Sequence, residues 1–225
     1  MTIETFINKI NFGDCLDIMK KLPDNYIDLI LTDPPYGEKM SRRGVLGSSN
    51  RGAVQNYGKS DWDDEIPAQE YFDEMFRVSK NQIIFGGNFM ITRIGKNSPC
   101  WIIWDKDNTG NYADAELAWT SFNRAVKKYT WRWNGMIQQD MKNKERRIHP
   151  TQKPVRLMEM ILRDFYDKEK GGIVADFYSG SGSVAIACHN LGIPFISVEK
   201  RLEYYQESVK RLKDVQAQMK LFRGI

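Results

Sequence analysis

Four consecutive residues, Asp33, Pro34, Pro35 and Tyr36, combine types that can do chemistry. The apolar run Ile27 to Leu31 before them reads as a short buried strand. The two prolines cannot donate to a ladder, and each fixes its own φ. Asp33 and Pro34 are each followed by proline, which biases both away from the α region. The chain therefore leaves the strand as a stiff extended turn. A carboxylate, a carbonyl that no helix claims and an aromatic ring are held together at a strand end, where open α/β sheets bind ligands. Pro-Pro alone would be punctuation; the whole tetrad after a buried strand is a motif that needs context.

A second constellation supplies that context. A strand from Ile173 to Ala175 runs into Asp176, then Phe177, Tyr178, Ser179, Gly180, Ser181 and Gly182, and a helix opens at Ser183. Glycines let this turn fold tightly and let a ligand approach main-chain atoms, and the helix behind it offers unpaired N–H groups. Glu199 ends the next strand, 19 residues after Gly180. A carboxylate placed there can take both hydroxyls of a ribose. Residues Gly180 to Ala185 also fit G-x-G-x-x-A, so a nicotinamide- or flavin-dependent oxidoreductase is a competing reading. Asp176 does not suit a pyrophosphate; it suits an ammonium. That points to S-adenosylmethionine, which carries a ribose and an ammonium but no phosphate.

The elements that must position these groups alternate. Strands are expected at Lys9–Phe12, Ile27–Leu31, Gln82–Phe85, Cys100–Trp104, Ala115–Phe122, Ile173–Ala175 and Phe195–Val198, with a hairpin arm at Tyr129–Trp133. Helices are expected after Asp14, after Pro67 (with an apolar stripe of Tyr71, Met75 and Val78), after Pro154, over Ser183–Leu191 and from Leu202 to about Leu221. Strands alternating with helices argue for an α/β fold with a parallel sheet covered on both faces. Residues 37–60 show no periodicity, and the reading is a mobile substrate-gripping loop within a single domain spanning 1–225.

At 225 residues and 41% hydrophobic composition, the chain can bury a substantial core. No apolar run reaches membrane-span or signal-peptide length. Cys15, Cys100 and Cys188 are scattered, so neither a disulfide framework nor a zinc site is expected, and a reducing cytoplasm fits. The net charge of +4 is unevenly placed. Lys39, Arg42, Arg43, Arg51 and Lys59 give one acid-free segment +5. Arg124, Lys127, Lys128, Arg132, Lys142, Lys144, Arg146 and Arg147, against Asp140 and Glu145, give a second +6, which leaves −7 on the remainder. Two basic segments on an acidic scaffold point to a polyanion such as nucleic acid; solvated basic loops are the bland alternative.

With both constellations in hand, the chain resembles the β-group amino-methyltransferases of DNA along nearly its whole length. Asp33–Tyr36 comes first, His149-Pro150-Thr151-Gln152-Lys153-Pro154 lies between, and Asp176–Ser183 comes late. That order, catalytic before cofactor motif, is what places it in the β group. Phe177-Tyr178 stand where the family usually has Pro-Phe. The resemblance implies a doubly wound, mainly parallel seven-stranded sheet with one antiparallel strand and a circularly permuted motif order. The strand before Asp14 would then lie beside the strand of Glu199. It implies S-adenosylmethionine as cofactor, DNA as substrate and no metal. Asp14 would contact the cofactor adenine, and Thr151 and Lys153 would lie beside the cofactor. His149 is expected to pack at a turn.

The expected activity is site-specific methylation of the N6 amine of adenine; Asp rather than Ser opening the motif favours adenine by resemblance. N4 of cytosine is the nearest alternative, and a catalytically silent DNA-binding protein is another. The target base must be flipped out of the duplex. Asp33 and the Pro34 carbonyl would accept the two amine hydrogens, Pro35 would shape the pocket and Tyr36 would stack on the base. Lys39, Arg42, Arg43, Arg51, Arg124, Lys127, Lys128, Arg132, Arg146 and Arg147 are the candidate DNA contacts, and about 124–148 the target-recognition segment. Trp131 and Trp133 could add stacking or form a hairpin core. Monomer and dimer both stay open.

Overall fold

The computed structural model describes residues 2–37, 45–46, 55–56, 65–108, 113–134 and 137–223. After a 3-10 turn at Ile3–Phe6 come β1 (Lys9–Phe12), α1 (Cys15–Met19), β2 (Ile27–Thr32), β3 (Val45–Leu46) and β4 (Gln55–Asn56). Next are α2 (Gln69–Val78), β5 (Ser79–Phe85), α3 (Ile91–Ile94), β6 (Trp101–Asp105), β7 (Ala115–Thr120), β8 (Lys127–Thr130), β9 (Trp133–Asn134) and β10 (Ile137–Gln138). The last third carries α4 (Val155–Phe165), β11 (Val174–Asp176), α5 (Ser183–Leu191), β12 (Phe195–Glu199) and α6 (Leu202–Arg223).

One sheet holds the order β1-β12-β11-β2-β5-β7-β6-β8. Every pairing is parallel except those of β7, which runs against both β5 and β6. The strands from opposite ends of the chain do meet, with Phe12 opposite Glu199. The doubly wound sheet and its one antiparallel strand agree with expectation; the strand count does not. An eighth strand, β8, closes the edge, with Lys127 opposite Ile102. The expected hairpin arm at Tyr129–Trp133 is thereby divided. Tyr129 is the buried residue of an edge strand, its hydroxyl donating to Asp164 Oδ2 at 2.7 Å, while Trp133 opens the β9–β10 hairpin. The alternation of so short a segment does not say which neighbour it pairs with.

Burial explains the layers. β2, β11 and β12 are covered on both faces and read as near-continuous apolar runs, as parallel strands must. One face packs against α1, α2 and α3 through Ile18, Met19, Phe72, Met75, Val78 and Ile94. The other packs against α4, α5 and α6 through Leu157, Ile161, Leu162, Ala185, Ile186 and Leu212. Helices change face between β11 and β2, which are direct neighbours. That is the switch point, where the carboxyl ends of two strands part and leave a crevice.

β3 and β4 form a short antiparallel pair inside the region read as aperiodic. Lys39, Arg42, Arg43, Arg51 and Lys59, and the expected mobility of 37–60, otherwise lie outside the described residues. Among the described residues, no helix is long and apolar enough to cross a membrane, and no group of His, Cys, Asp and Glu is placed to hold a metal ion.

Candidate active site

The carboxyl ends of the strands put the chemistry in a row that follows the sheet order. Asp14 follows β1, Glu199 ends β12, Asp176 ends β11 and Asp33 follows β2. β7 is antiparallel, so its beginning, with Glu116, reaches this same edge, beside Lys106 just after β6. A cavity of ≈ 450 Å³ opens here, lined among others by Asp14, Asp33, Pro35, Tyr71, Thr151, Lys153, Ser179, Gly180 and Glu199.

The two constellations meet across the switch point. Thr32 Oγ1 donates to Asp176 Oδ1 at 2.8 Å, and the Tyr178 N–H reaches the same oxygen at 3.2 Å. Burial pushes the Asp176 carboxyl up to about 7, against these two hydrogen bonds and with the neighbouring charges of Asp33 and Glu199 adding to the rise. A buried carboxylate with so little positive charge near it is suited to a cationic ligand.

The far wall is the cofactor-type turn. Glu199 Oε2 accepts the Gly180 N–H at 2.7 Å and Oε1 the Arg201 N–H at 2.7 Å. Burial raises its carboxyl, although these N–H groups pull the other way. Gly182 has φ +75°, and a Cβ on it would lie 3.1 Å from Ile10 Cδ1 and 3.2 Å from Ser208 Cβ. Only glycine suits that backbone and that space. Behind it Ser183 and Ser181 are buried, with Ser183 Oγ donating to the Lys153 carbonyl at 2.7 Å. Phe177 and Tyr178 also line the cavity. The Ser179 hydroxyl is buried in the wall with no hydrogen-bond partner among the described residues. Two buried carboxylates, Glu199 and Asp176, and the orphaned Ser179 hydroxyl in one cavity wall are groups that a ligand with a ribose and an ammonium, such as S-adenosylmethionine, would fit. Asp14 caps α1 through the Leu16 N–H at 3.0 Å, and its other oxygen accepts from Tyr71 at 3.0 Å and pairs with Lys200 at 2.8 Å. Burial pushes its carboxyl up, but Lys200 and these donors outweigh that and hold it low.

At the other side of the crevice Asp33 is held by both oxygens. Tyr36 donates its hydroxyl to Oδ1 at 2.5 Å, and Lys153 Nζ engages Oδ2. Lys153 was expected beside the cofactor; it lines the cavity, but its ammonium sits between Asp33 and Glu116 Oε2, the latter at 3.1 Å. Burial favours a neutral Lys153, yet the two carboxylates outweigh it and raise its affinity for the proton. Burial likewise raises the Asp33 carboxyl, with Lys153 opposing and Glu116 adding to the rise. Pro34 is buried and Pro35 faces the cavity. The Tyr36 ring stacks on Phe89, centroids 5.1 Å apart, and crosses Gly86 so closely that a Cβ there would be 2.1 Å from the ring. His149 packs as a turn residue, edge-on to Tyr204 at 4.2 Å, with Thr151 Oγ1 at 3.2 Å from its Nδ1. Burial, with Lys153 and Arg147 nearby, depresses its pKa to about 3.

The basic residues divide. Arg124 donates to the Asp164 carbonyl at 2.8 Å and Lys127 pairs with the Asp164 carboxylate at 3.1 Å. Asp164 ends α4, a helix of 11 residues, about 16 Å long, whose other end carries Lys153 to the cavity. These two cations therefore lie at the opposite edge of the sheet. Lys128 pairs with Asp105 at 2.8 Å, Arg132 with Asp107 at 2.9 Å and Arg146 with Glu207 at 3.7 Å. Charge counted along the chain misses acids that other elements bring in. Arg147 donates to the Pro150 carbonyl at 2.9 Å and lies over Trp133. Trp133 is core, its Nε1 donating to the Gln152 carbonyl at 2.9 Å, and Trp131 packs against that core.

Sequence reasoning missed Glu116, Lys106, Tyr71 and Phe89. Tyr71 reads as one of an apolar stripe, but Phe72 fills the core and Tyr71 turns its hydroxyl to Asp14. A regular helical spacing cannot distinguish the two.

The family model described as "DNA methylase" (N6_N4_Mtase) matches residues 27–210. The Type II methyltransferase M.HinfI of Haemophilus influenzae is 26% identical over 258 residues, covering 95% of this chain and 70% of its own. The crystal structure of an M1.HpyAVI–SAM complex superposes with a TM-score of 0.55 at 24% identity, covering 90% of this chain and 98% of that one. The PvuII DNA methyltransferase, described as cytosine-N4-specific, gives 0.54 at 14% identity, with 92% of each chain covered.

Proposed function

This chain belongs to the N6/N4 DNA methylase family, and from that premise we propose that it methylates the N6 amine of an adenine flipped out of DNA. The observation that carries this reading is the placement of Asp33 and Asp176 on adjacent strand ends, bridged through Thr32, in one cavity. The amine acceptor then stands beside the cofactor's ammonium end. Asp rather than Ser at the head of the motif supports adenine over cytosine.

S-adenosylmethionine, when bound, supplies a methyl group already activated by its sulfonium. The protein's task is to position and polarise. An exocyclic amine is a poor nucleophile because its lone pair is delocalised into the ring. Asp33 accepts one N–H and the Pro34 carbonyl the other, which pulls the amine towards tetrahedral geometry. A carboxylate offers about four lone-pair sites; Tyr36 and Lys153 occupy two, so room remains for the amine. The interaction strengthens as positive charge develops on nitrogen, and so favours the transition state. After transfer the amine proton has become acidic and passes to an Asp33 oxygen: one N–H bond breaks and one O–H bond forms. Tyr36, backed by Phe89, offers the ring against which the base stacks. In-line placement of amine and methyl supplies much of the remaining acceleration. Lys39, Arg42, Arg43 and Arg51, with Lys128, Arg132, Arg146 and Arg147, are the proposed phosphate contacts.

Incubation with DNA and the methyl donor, followed by nucleoside analysis, tests the proposal. N6-methyladenine is expected, and Asp33→Ala abolishes it while cofactor binding persists. N4-methylcytosine would overturn the choice of base, and neither product would sink the enzymatic reading.

A further inference from the structure

We propose that Glu116 is a positioning residue for methyl transfer, holding Lys153 so that the Asp33 carboxylate keeps the orientation and charge needed to receive the amine. This rests on the role of Asp33 argued above. The side chains form a chain of alternating charge along the strand ends. Lys106 Nζ lies 2.5 Å from Glu116 Oε1, Glu116 Oε2 lies 3.1 Å from Lys153 Nζ, and Lys153 Nζ engages Asp33 Oδ2. Lys153 also reaches the Tyr36 hydroxyl at 3.3 Å. Its side chain is only 6% exposed, while those of Asp33 and Glu116 are each 24% exposed. Phe85 lies beneath Lys153 Nζ at 4.7 Å and Trp104 beneath Lys106 Nζ at 5.1 Å, so neither ammonium is surrounded by water.

One carboxylate would suffice to anchor a buried lysine. Two on the same ammonium divide its field. Were Lys153 to face Asp33 alone, it would pair fully with it and lower its basicity. Glu116 draws the ammonium the other way, and its own negative charge raises the Asp33 carboxyl. Among the described residues, the groups facing Asp33 are Tyr36, Lys153, Glu116 and, across the switch point, Asp176. Those facing Glu116 are Lys106 and Lys153. Placing an acid here requires β7: only a strand running against its neighbours starts where they end.

The test is the pH dependence of single-turnover methyl transfer at saturating cofactor, for the intact chain and three variants. Glu116→Gln removes the negative neighbour. The acid limb, set by ionisation of Asp33, moves to lower pH by on the order of one unit, and the plateau rate falls several-fold as Lys153 closes on Asp33. Lys106→Met leaves the charge of Glu116 undivided, and the limb moves the other way. Glu116→Asp restores the original limb. S-adenosylhomocysteine affinity, measured alongside, stays unchanged in all three and reports an intact fold; it also reads the titration of Asp176 separately. Limbs that stay put, or that shift in the same direction in Glu116→Gln and Lys106→Met, overturn the proposal, as does a rate loss without a shift. Asp33→Asn separates this failure from the other. Should that variant keep full activity, the role of Asp33 itself is wrong whatever Glu116 does.

Discussion

Asp176→Asn should make the protein more stable and bind its cofactor worse, both in a pH-dependent way. Asp176 is 4% exposed, and its Oδ1 accepts from Thr32 and from the Tyr178 N–H. Asparagine keeps an oxygen there and can preserve both hydrogen bonds, so the substitution chiefly removes an ionisable group. Burial lifts the carboxyl from 3.8 to about 7 in the folded chain. A group whose folded value is raised contributes stability that is complete below about pH 3.8 and is lost as the pH rises through about 7. At 1.36 kcal/mol per unit the whole span is about 4 kcal/mol, of which roughly 2–3 kcal/mol falls between about pH 5 and pH 8.5. Asparagine does not titrate, so its advantage over aspartate widens by that amount across this interval. Denaturant unfolding followed by tryptophan fluorescence reads it, because Trp104, Trp119 and Trp133 are buried. Calorimetric titration with S-adenosylhomocysteine supplies the second arm. The ammonium of the ligand selects ionised Asp176, so affinity of the unaltered chain rises with pH through about 7. In Asp176→Asn that rise disappears, and affinity at alkaline pH falls by about 10-fold or more, the value of one charge-assisted hydrogen bond. A stability gap equal at both pH values, or an unchanged affinity, would refute the reasoning.

Three further outcomes are expected. Gly86→Ala places a methyl 2.1 Å from the Tyr36 ring at φ +66°; the left-handed alanine costs about 1–2 kcal/mol, and the displaced ring loses its bond to Asp33, so thermal melting falls and transfer slows about 10-fold or more. A normal rate in that variant would show that the Tyr36 position is dispensable. Glu199→Gln has one oxygen where two N–H groups, Gly180 and Arg201, need acceptors. Leaving one unsatisfied costs about 1–3 kcal/mol, and cofactor titration should show a weakening of about 10-fold or more. DNA affinity falls steeply with salt, and Arg124→Ala and Lys127→Ala leave the slope unchanged because both sit at the far edge of the sheet; a loss of slope in either contradicts that placement.

Much of this molecule follows from its sequence. Asp33–Tyr36 after an apolar run, and Asp176–Gly182 with Glu199 19 residues beyond Gly180, are local patterns. Their chemistry depends on residues adjacent in the chain or on one βαβ unit, whose geometry is nearly invariant. Ser183–Leu191 is legible to the residue for the same reason: a left-handed glycine stands at each end. What only the tertiary structure decided is which distant side chains share the crevice. Lys153, 120 residues from Asp33, could not be set on that carboxylate by spacing alone. Glu116 reads as one polar residue of a mixed edge strand until β7 is seen to run against its neighbours. The basic count of 124–147 is correct, but Asp105, Asp107 and Asp164 arrive from other elements to meet it. Electrostatics acts through space and not along the chain, so the charge on Asp33 is set by groups that only the fold brings together.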